Sequence, residues 1–301
     1  MSDKLKSIVY LGILSLIWGT SFILIKKGLL AYPPDQVGAL RVFIASLFFL
    51  PYIIKNYRKV NFSVYKYVFL FGLFEIGLPP YLYAFAQTVV SSSEAGILNS
   101  LVPLFTLLFG FFLFKVPTNF YKVSGVLLGL IGAILLIFFK SGDFSSVNFS
   151  NSLGLLIVLA TLMYGFASNI IKEYLQNESG LMITGVAFVS MAIPSLIYLL
   201  FTDFLTVTVT NEEALNSLGA LVILAFMSSA VAMVIFAKLI QISNALFASF
   251  VTYLIPFVSI LWGIFDGEYI SPMSIIALVM ILGGIYLANL DYYRRKALNH
   301  D

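Results

Sequence analysis

Residues 14–26 read LSLIWGTSFILIK, and residues 160–172 repeat the pattern as ATLMYGFASNIIK. An aromatic residue followed by glycine lies in the middle of both stretches, and both end in Ile-Lys. A shift of 146 residues superimposes them, and the polar segment 140–151 falls near the midpoint of the chain. The sequence therefore predicts two related halves, residues 1–145 and 146–301, joined by a linker.

Both stretches lie in long apolar runs. Hydrophobic residues fill 60% of the 301 positions, charged residues fill 10%, and the mean hydropathy is +1.01. Soluble domains carry about a quarter charged residues, and an α-helix needs about 20 apolar residues to cross a bilayer. The composition therefore predicts an all-α polytopic membrane protein in contact with lipid. The apolar runs are 8–27, 37–55, 67–86, 93–114, 122–139, 152–171, 181–201, 217–238, 243–264 and 273–290.

These ten predicted transmembrane helices divide into two sets of five. A second shift, of 153 residues, places Ala95, Pro103 and Gly110 on Ala248, Pro256 and Gly263. Because five is an odd number, the second repeat must be inserted upside-down relative to the first. An inverted repeat gives two related conformations, one open to each side of the membrane, which is typical of carriers.

The distribution of basic residues predicts the orientation. If the N-terminus is cytoplasmic, most of the 17 lysines and arginines fall on the cytoplasmic side, whereas Lys26, Lys27 and Lys140 fall outside. The positive-inside rule then predicts a multi-pass protein of the cytoplasmic (inner) membrane with both termini in the cytoplasm. The cytoplasmic set is Lys4, Lys6, Lys55, Arg58, Lys59, Lys66, Lys115, Lys122, Lys172, Lys238, Arg294, Arg295 and Lys296.

Residue types that are missing from the sequence exclude several functions. The chain has no cysteine, and its sole histidine, His300, stands next to the C-terminus. The sequence also lacks a His-Glu-x-x-His motif and clustered aspartates. We therefore expect no enzyme activity, no cofactor and no metal site. The net charge of +3 comes from residues in short loops, which predicts no nucleic-acid partner.

Several motifs together resemble the EamA-type branch of the drug/metabolite transporter superfamily. They are Leu16-Ile-Trp18-Gly19-Thr-Ser, Ala39-Leu-Arg41-Val-Phe, Leu101-Val-Pro103-Leu-Phe-Thr106, Ala248-Ser-Phe-Val-Thr252-Tyr-Leu-Ile-Pro256-Phe, Gly267-Glu268 and Gly283-Gly284. The resemblance covers essentially the whole chain and implies export or exchange of amino acids, nucleosides, vitamins or similar metabolites. In one departure, Phe114-Lys115 replaces the Gly-Glu that usually follows the fourth span.

Two charged residues lie within predicted spans. Glu75 stands in the middle of the third span, where an ionised carboxylate must face a polar cavity, find a partner or accept a proton. We interpret it as a candidate for substrate binding and proton coupling, with a helix–helix hydrogen bond as the alternative. Arg41, in the second span, is a candidate for binding a substrate carboxylate, although an arginine near a helix end can also reach the headgroups.

The fourth and ninth spans each carry a polar pair beside a proline. Asn99 and Thr106 are seven residues apart and share a helix face near Pro103. The 153-residue shift places Thr252, Ser259 and Pro256 at the same positions. Since proline leaves a backbone carbonyl without its usual donor, these faces are predicted to line the substrate cavity. Tight helix packing by small polar residues is the alternative.

Aromatic and proline residues complete the predicted site. Trp18, Tyr83 and Tyr164 are candidates for flat walls around a substrate, although most aromatic residues in such a chain serve packing. Pro79 and Pro80 follow Glu75 and predict a hinge in the third span. Pro103 and Pro256 are the other predicted hinges.

The sequence thus predicts a carrier for a small organic metabolite, amino acid-like or similar, that works by alternating access in export or exchange. A channel would need a ring of like charges or a repeated filter, whereas Ser228 occupies the repeat position of Glu75. A phosphorylated-sugar or nucleotide-sugar carrier would place several basic residues in the late spans, and spans nine and ten contain none. A membrane receptor or regulator without transport is the remaining alternative.

Overall fold

The computed structural model describes residues 3–59, 61–113, 115, 119–141, 152–233, 235–236, 239 and 251–288. Within these ranges the chain is helical and contains no strand. The α-helices are α1 (Asp3–Gly28), α2 (Pro34–Asn56), α3 (Tyr65–Phe71), α4 (Pro79–Ala86), α5 (Ser92–Asn99), α6 (Val102–Phe112), α7 (Phe120–Phe138), α8 (Gly154–Tyr174), α9 (Gly180–Leu200), α10 (Phe204–Thr210), α11 (Ala214–Leu224), α12 (Val251–Phe265) and α13 (Pro272–Ala288).

Among the described residues, eight helical segments are long and apolar enough to cross a membrane. They are Leu5–Gly28, Pro34–Lys59, Phe62–Ala86, Ser92–Phe112, Phe120–Phe138, Gly154–Tyr174, Gly180–Leu200 and Ala214–Val231. Two further apolar helices, α12 and α13, are shorter. Large apolar side chains such as Leu16, Phe112 and Val279 are exposed on the outside of the bundle, as expected where lipid is the solvent. The chain is therefore a membrane-embedded multi-pass protein. Part of the predicted ninth run, residues 243–250, lies outside the described residues.

Two spans change from α- to π-helical geometry near their middle. One π-helical segment covers Gly72–Gly77 and separates α3 from α4, and the other covers Ala225–Val231 and follows α11. The 153-residue shift superimposes the two segments and places Glu75 on Ser228. A π-helical turn widens the helix and often marks a functional site. Local sequence carries no signal for this geometry.

Glycines bring pairs of helices into close contact. A Cβ atom on Gly19 of α1 would lie 2.5 Å from Cβ of Val258 on α12. A Cβ atom on Gly165 of α8 would lie 2.7 Å from the backbone of Phe105 on α6. The repeat shifts relate these two contacts, because Gly19 corresponds to Gly165 and Val258 corresponds to Phe105. Small residues at such crossings let membrane helices approach closely.

Polar contacts join the helix ends at one end of the bundle. Gln36 Nε2 at the start of α2 donates to Asp203 Oδ1 at 2.7 Å. The Tyr198 hydroxyl near the end of α9 donates to Asp35. The Ser217 hydroxyl of α11 donates to the Lys27 carbonyl oxygen at 2.8 Å. We call this end the outer end, after the orientation that the sequence predicts. It also contains the segments 87–94 and 266–271, so its loops hold both halves of the chain together.

Candidate substrate cavity

A cavity of about 230 Å³ lies within the helix bundle and is lined by residues from both halves of the chain. Seven of the predicted site residues line it: Trp18, Arg41, Glu75, Tyr83, Asn99, Tyr164 and Thr252. The lining also contains the apolar side chains of Phe22, Ile25, Phe71, Ile76, Val102, Phe188, Met233 and Ile255. The wall is therefore mostly apolar and carries a few polar groups, as in many small-molecule sites.

Arg41 and Glu75 are the two charged residues among the described lining residues. Glu75 lies in the π-helical segment that follows α3, and Arg41 lies in the second turn of α2. Both side chains line the same cavity. Within the described part of the chain, neither side chain forms a hydrogen bond or an ion pair. The cavity therefore offers one positive and one negative group to a ligand.

Aromatic side chains and one amide are fixed around these charges. The Tyr83 hydroxyl donates to Asn99 Oδ1 at 2.7 Å, which joins α4 to the end of α5. The Tyr83 and Tyr164 rings are stacked with their centroids 6.2 Å apart. Trp18 Nε1 donates to the Ser228 carbonyl oxygen at 3.2 Å, in the second π-helical segment. These contacts fix flat surfaces in the cavity wall.

Two predicted site residues do not line this cavity. The Thr106 hydroxyl donates to the Val102 carbonyl oxygen at 2.9 Å, and the residue lines a different cavity between α6, α7 and α8. Ser259 is fully buried and donates to the Pro256 carbonyl oxygen at 2.9 Å. Its hydroxyl also occupies the space that a side chain at Gly96 would need. Thr106 therefore faces another cavity, and Ser259 packs α12 against α5.

The predicted hinge prolines occupy three kinds of position. Pro79 and Pro80 begin α4 directly after the first π-helical segment, so the third span is broken at this point. Pro103 stands in the first turn of α6, after the break at Ser100 and Leu101. Pro256 lies inside the continuous helix α12. Three of the four prolines therefore accompany an interruption of a helix.

Several hydroxyl groups in the cavity wall were not among the predicted site residues. They belong to Ser21, Ser168, Thr184, Ser228 and Ser229. The Ser228 hydroxyl donates to the Leu224 carbonyl oxygen at 2.5 Å. The sequence pointed to Ser228, because the 153-residue shift aligns it with Glu75. Single serines and threonines in apolar runs gave no signal for the others.

A network of ion pairs connects α1, α5 and α12 at the outer end. Lys26 Nζ lies 2.8 Å from Glu268 Oε1 and 2.8 Å from Asp266 Oδ2, and Lys27 Nζ lies 2.6 Å from Asp266 Oδ1. Glu268 also accepts hydrogen bonds from the backbone and hydroxyl groups of Ser92 and Ser93, at 2.6–3.1 Å. Glu268 therefore closes the N-terminus of α5 from a loop of the second half.

The charges of this network stabilise one another. Burial alone would raise the pKa of the Glu268 carboxyl, but the hydrogen bonds from Lys26, Ser93 and Ser92 outweigh burial and lower that pKa to about 2. Hydrogen bonds from Lys26 and Lys27 also lower the pKa of Asp266. Both carboxylates are therefore ionised near neutral pH. The partners of Lys26 lie 240 and 242 residues away in the chain.

An all-helical bundle of apolar spans around a cavity with two charges defines a polytopic membrane protein with a small-molecule site. The sequence profile of the EamA-like transporter family matches residues 5–138 and again residues 152–290. The chain belongs to this family, which confirms the resemblance seen in its motifs. It is a membrane transporter. The family and the apolar helices imply a small-molecule substrate and contact with the lipid bilayer.

Similar proteins cover almost the whole chain. An uncharacterized transporter from Archaeoglobus fulgidus is 23% identical over 285 residues, which are 94% of this chain and 98% of the relative. The uncharacterized inner membrane transporter YedA of Escherichia coli K12 is 24% identical over 283 residues, 93% of this chain and 89% of the relative. A protein of Salmonella typhimurium called a probable amino-acid metabolite efflux pump is 23% identical over 287 residues, 90% of each chain.

A solved crystal structure shares the fold. Its TM-score is 0.62 at 21% sequence identity, and the match covers 96% of this chain and 98% of that chain. The likeness concerns the fold alone.

Proposed function

We propose that this protein is a secondary carrier with ten transmembrane helices in two inverted five-helix repeats, residues 1–145 and 146–301, and with both termini in the cytoplasm. The family profile matches once in each half, which supports the division. The superimposed π-helical segments and the repeat-related contacts of Gly19 and Gly165 support it further. The basic residues in the predicted cytoplasmic loops support the orientation. In this proposal the shorter apolar helices α12 and α13 are the last two spans.

Alternating access then requires the outer end to open and close. In the described conformation, Glu268 ties the loop after α12 to the N-terminus of α5, and Lys26 ties it to α1. Ile25, the chain neighbour of Lys26, and Tyr83 are buried and line the cavity. We infer that the network holds the outer end closed and that it breaks when the cavity opens outward. The π-helical segments of spans three and eight are the parts that we propose to change geometry, since such segments often mark functional sites.

The substrate we propose is a small zwitterion with an apolar side chain, such as a neutral amino acid. The observation that carries this proposal is the pair of Arg41 and Glu75 in one cavity, without partners among the described residues. Arg41 would bind a carboxylate through its planar guanidinium, and Glu75 would bind an ammonium group. The cavity of about 230 Å³ is smaller than the 300–1,000 Å³ typical of sites for drug-sized ligands. The name of the Salmonella relative is consistent with this class.

A phosphorylated sugar fits the cavity less well. A phosphate carries about two negative charges and is usually held by several basic groups. Arg41 is the sole basic residue among the described lining residues, and Glu75 would repel the phosphate. The charge pattern therefore favours a neutral zwitterion over an anion, and we propose transport, with no catalytic step, as the function.

Counterflow in proteoliposomes tests the proposal. Purified full-length protein is reconstituted, vesicles are loaded with leucine, and uptake of labelled leucine, 3-methylbutylamine or 4-methylpentanoate is measured. We expect saturable counterflow of the zwitterion, and at least tenfold less of the amine and of the acid, because each lacks one charge-assisted contact. Arg41→Gln should raise the KM for leucine about 10- to 100-fold, and Lys55→Gln, a charge change outside the cavity, should not. Equal counterflow of all three compounds, or of none, would overturn the proposed substrate class.

Glu75 is also the residue we propose for proton coupling. An ionised carboxylate in a closed apolar cavity is costly, so Glu75 needs a proton or a bound ammonium group whenever the cavity is occluded. Glu75→Gln keeps the shape of the side chain and removes the titrating group. We expect this variant to retain leucine exchange with a raised KM and to lose stimulation by an imposed proton gradient. Full gradient-driven uptake by Glu75→Gln would show that the coupling group lies elsewhere.

A further inference from the structure

A hydrogen bond inside the substrate cavity fixes the side chain of Asn99. The Tyr83 hydroxyl donates to Asn99 Oδ1 at 2.7 Å. Tyr83 is 2% exposed, and its ring lies against the rings of Phe22 and Tyr164, with centroid distances of 5.8 and 6.2 Å. Ring packing therefore holds the hydroxyl in place, and the hydroxyl in turn holds the amide oxygen of Asn99.

The amide nitrogen of Asn99 is the side-chain atom that remains for a ligand. It donates to no residue in the described part of the chain, and Asn99 lines the cavity. A side-chain amide nitrogen carries two N–H donors and no acceptor. Asn99 is also the last residue of α5, where the fourth span is interrupted before α6. Interrupted helices often form the binding sites of carriers, so this break is a suitable place for a donor to the substrate.

The second half of the chain contains the same aromatic pair without the hydroxyl. Shifts of 146 and 153 residues place Trp18 on Tyr164 and Tyr83 on Phe236. The Trp18 and Phe236 rings are in contact, with centroids 5.4 Å apart. A phenylalanine ring therefore suffices for this packing, and the Tyr83 hydroxyl adds the bond to Asn99.

Arg41 comes from a helix that crosses α4 close to Tyr83. A Cβ atom on Gly38 of α2 would lie 2.6 Å from Cδ1 of Tyr81. Arg41 follows Gly38 by three residues, about one helical turn, and Tyr83 follows Tyr81 by two residues. Arg41 on α2 and Asn99, which is bound to α4, therefore offer their donors to the same cavity.

We propose that Asn99 is a second donor to the carboxylate of the substrate, beside Arg41, and that Tyr83 positions it. This inference rests on the proposed function for its substrate class. A small zwitterion with an apolar side chain accepts hydrogen bonds through its carboxylate alone, because an ammonium group has donors and no acceptor. A carboxylate has about four acceptor sites, so a bidentate arginine leaves room for a further donor. Glu75 remains the partner of the ammonium group.

Calorimetric titration of the purified full-length protein in detergent tests the role of Asn99. The two ligands are leucine and 3-methylbutylamine, which is leucine without its carboxylate. We expect Asn99→Leu to raise the Kd for leucine about 10- to 100-fold, since a hydrogen bond to a charged group contributes about that factor. The Kd for the amine should stay within about a factor of two, because the amine has no carboxylate to lose. Asn216→Leu, the same change at an exposed position, should alter neither value.

Replacement of Tyr83 by phenylalanine tests the positioning role. Tyr83→Phe should fold, because Phe236 fills the equivalent position in the second half. It should raise the Kd for leucine about three- to tenfold and leave the Kd for the amine unchanged. Added to Asn99→Leu it should have no further effect, since the two residues act through one contact. Tyr65→Phe removes a hydroxyl that lies 3.1 Å from Ser190 Oγ outside the cavity and is the matched control.

A third variant should produce a gain of binding, which a misfolded protein cannot show. Asn99→Asp replaces the donor by a negatively charged acceptor, so the Kd for leucine should rise and the Kd for 3-methylbutylamine should fall about three- to tenfold. Equal losses of leucine and amine binding in Asn99→Leu, or an unchanged Kd for leucine in Tyr83→Phe, would overturn this inference alone. Failure of the wild-type protein to bind leucine would overturn the proposed substrate class and this inference with it.

Discussion

Replacing Glu268 by glutamine should open the outer end. The carboxylate accepts bonds from Lys26, Ser92 and Ser93, and its pKa falls from an ordinary 4.5 to about 2. That difference corresponds to about 3 kcal/mol of extra stabilisation of the charged carboxylate. Glu268 is 5% exposed but its partner Lys26 is 35% exposed, so solvent screening reduces this stabilisation to about 1–2 kcal/mol. If the outward-open state lacks these bonds, Glu268→Gln should raise the outward-open fraction about tenfold until that state saturates.

The absence of cysteine from the chain makes this shift measurable. A single cysteine at Ser21, which lines the substrate cavity, is labelled from outside in intact cells by a membrane-impermeant maleimide. We expect the labelling rate in Glu268→Gln to rise toward the rate of a freely accessible cysteine. Glu212→Gln removes the same charge from an exposed position at the outer end and is the matched control. An unchanged labelling rate in Glu268→Gln, in a protein that still purifies as a folded monodisperse species, would refute the proposed role of the network.

Three further predictions follow from the same structure. The labelling rate of the cysteine at Ser21, divided at each pH by the rate of a freely accessible cysteine to remove the pH dependence of the thiolate, should stay constant between pH 5 and pH 8. The stabilisation from Glu268 is complete above pH 4.5 and is lost only as the pH falls toward about 2; a change in the divided rate within that range would point to another group. Gly165→Ala should lower thermal stability by about 1–3 kcal/mol, since its Cβ would meet the backbone at 2.7 Å, whereas Gly219→Ala, with no atom within 4 Å, should be neutral or stabilising. Asn99→Leu should impair leucine counterflow more than Thr106→Leu, and equal losses would argue against the proposed cavity.

The sequence predicted the aromatic walls of the cavity because the two halves of the chain could be compared. Trp18 and Tyr164 coincide under the 146-residue shift, and each precedes a glycine that contacts another helix. A large side chain beside a close helix crossing is directed away from that crossing, and in both halves it reaches the cavity. The spacing of residues therefore indicated which side chains occupy equivalent positions in the fold, because the pattern in one half could be compared with the pattern in the other.

The depth of residues along a helix was harder to predict. Asn99 and Thr106 share a helix face, but seven residues span about 10 Å along the axis. Asn99 reaches the substrate cavity, whereas Thr106 lines the different cavity between α6, α7 and α8. In the same way, Thr252 lines the cavity and Ser259 is buried between α12 and α5. Periodicity fixes the direction of a side chain around its helix, and only the packing of neighbouring helices determines which cavity it meets.

The outer network shows a second limit of sequence reasoning. Lys26 and Glu268 are 242 residues apart, and each alone is typical of a charge at a membrane interface. Their pairing depends on which helix ends meet, and this is a property of the assembled bundle. The sequence shows that Lys115 stands where the second repeat has Glu268. Only the structure shows that Glu268 forms an ion pair with Lys26.

In the proposed mechanism, features that occur in both halves serve the conformational change, and residues that occur in one half bind the substrate. The glycine crossings and the π-helical segments occur in both halves, so they are suited to a conformational exchange between two related states. The charges that would hold a substrate occur once, because Glu75 corresponds to Ser228, and Arg41 corresponds to Ala187 under the 146-residue shift. A zwitterion is itself asymmetric, and a site with charges on one repeat can keep it in one orientation while the other repeat moves. Substitutions at Arg41 should therefore change the affinity for substrate without changing the ratio of open to closed outer ends. Substitutions at Gly19 should change that ratio without changing the affinity for substrate.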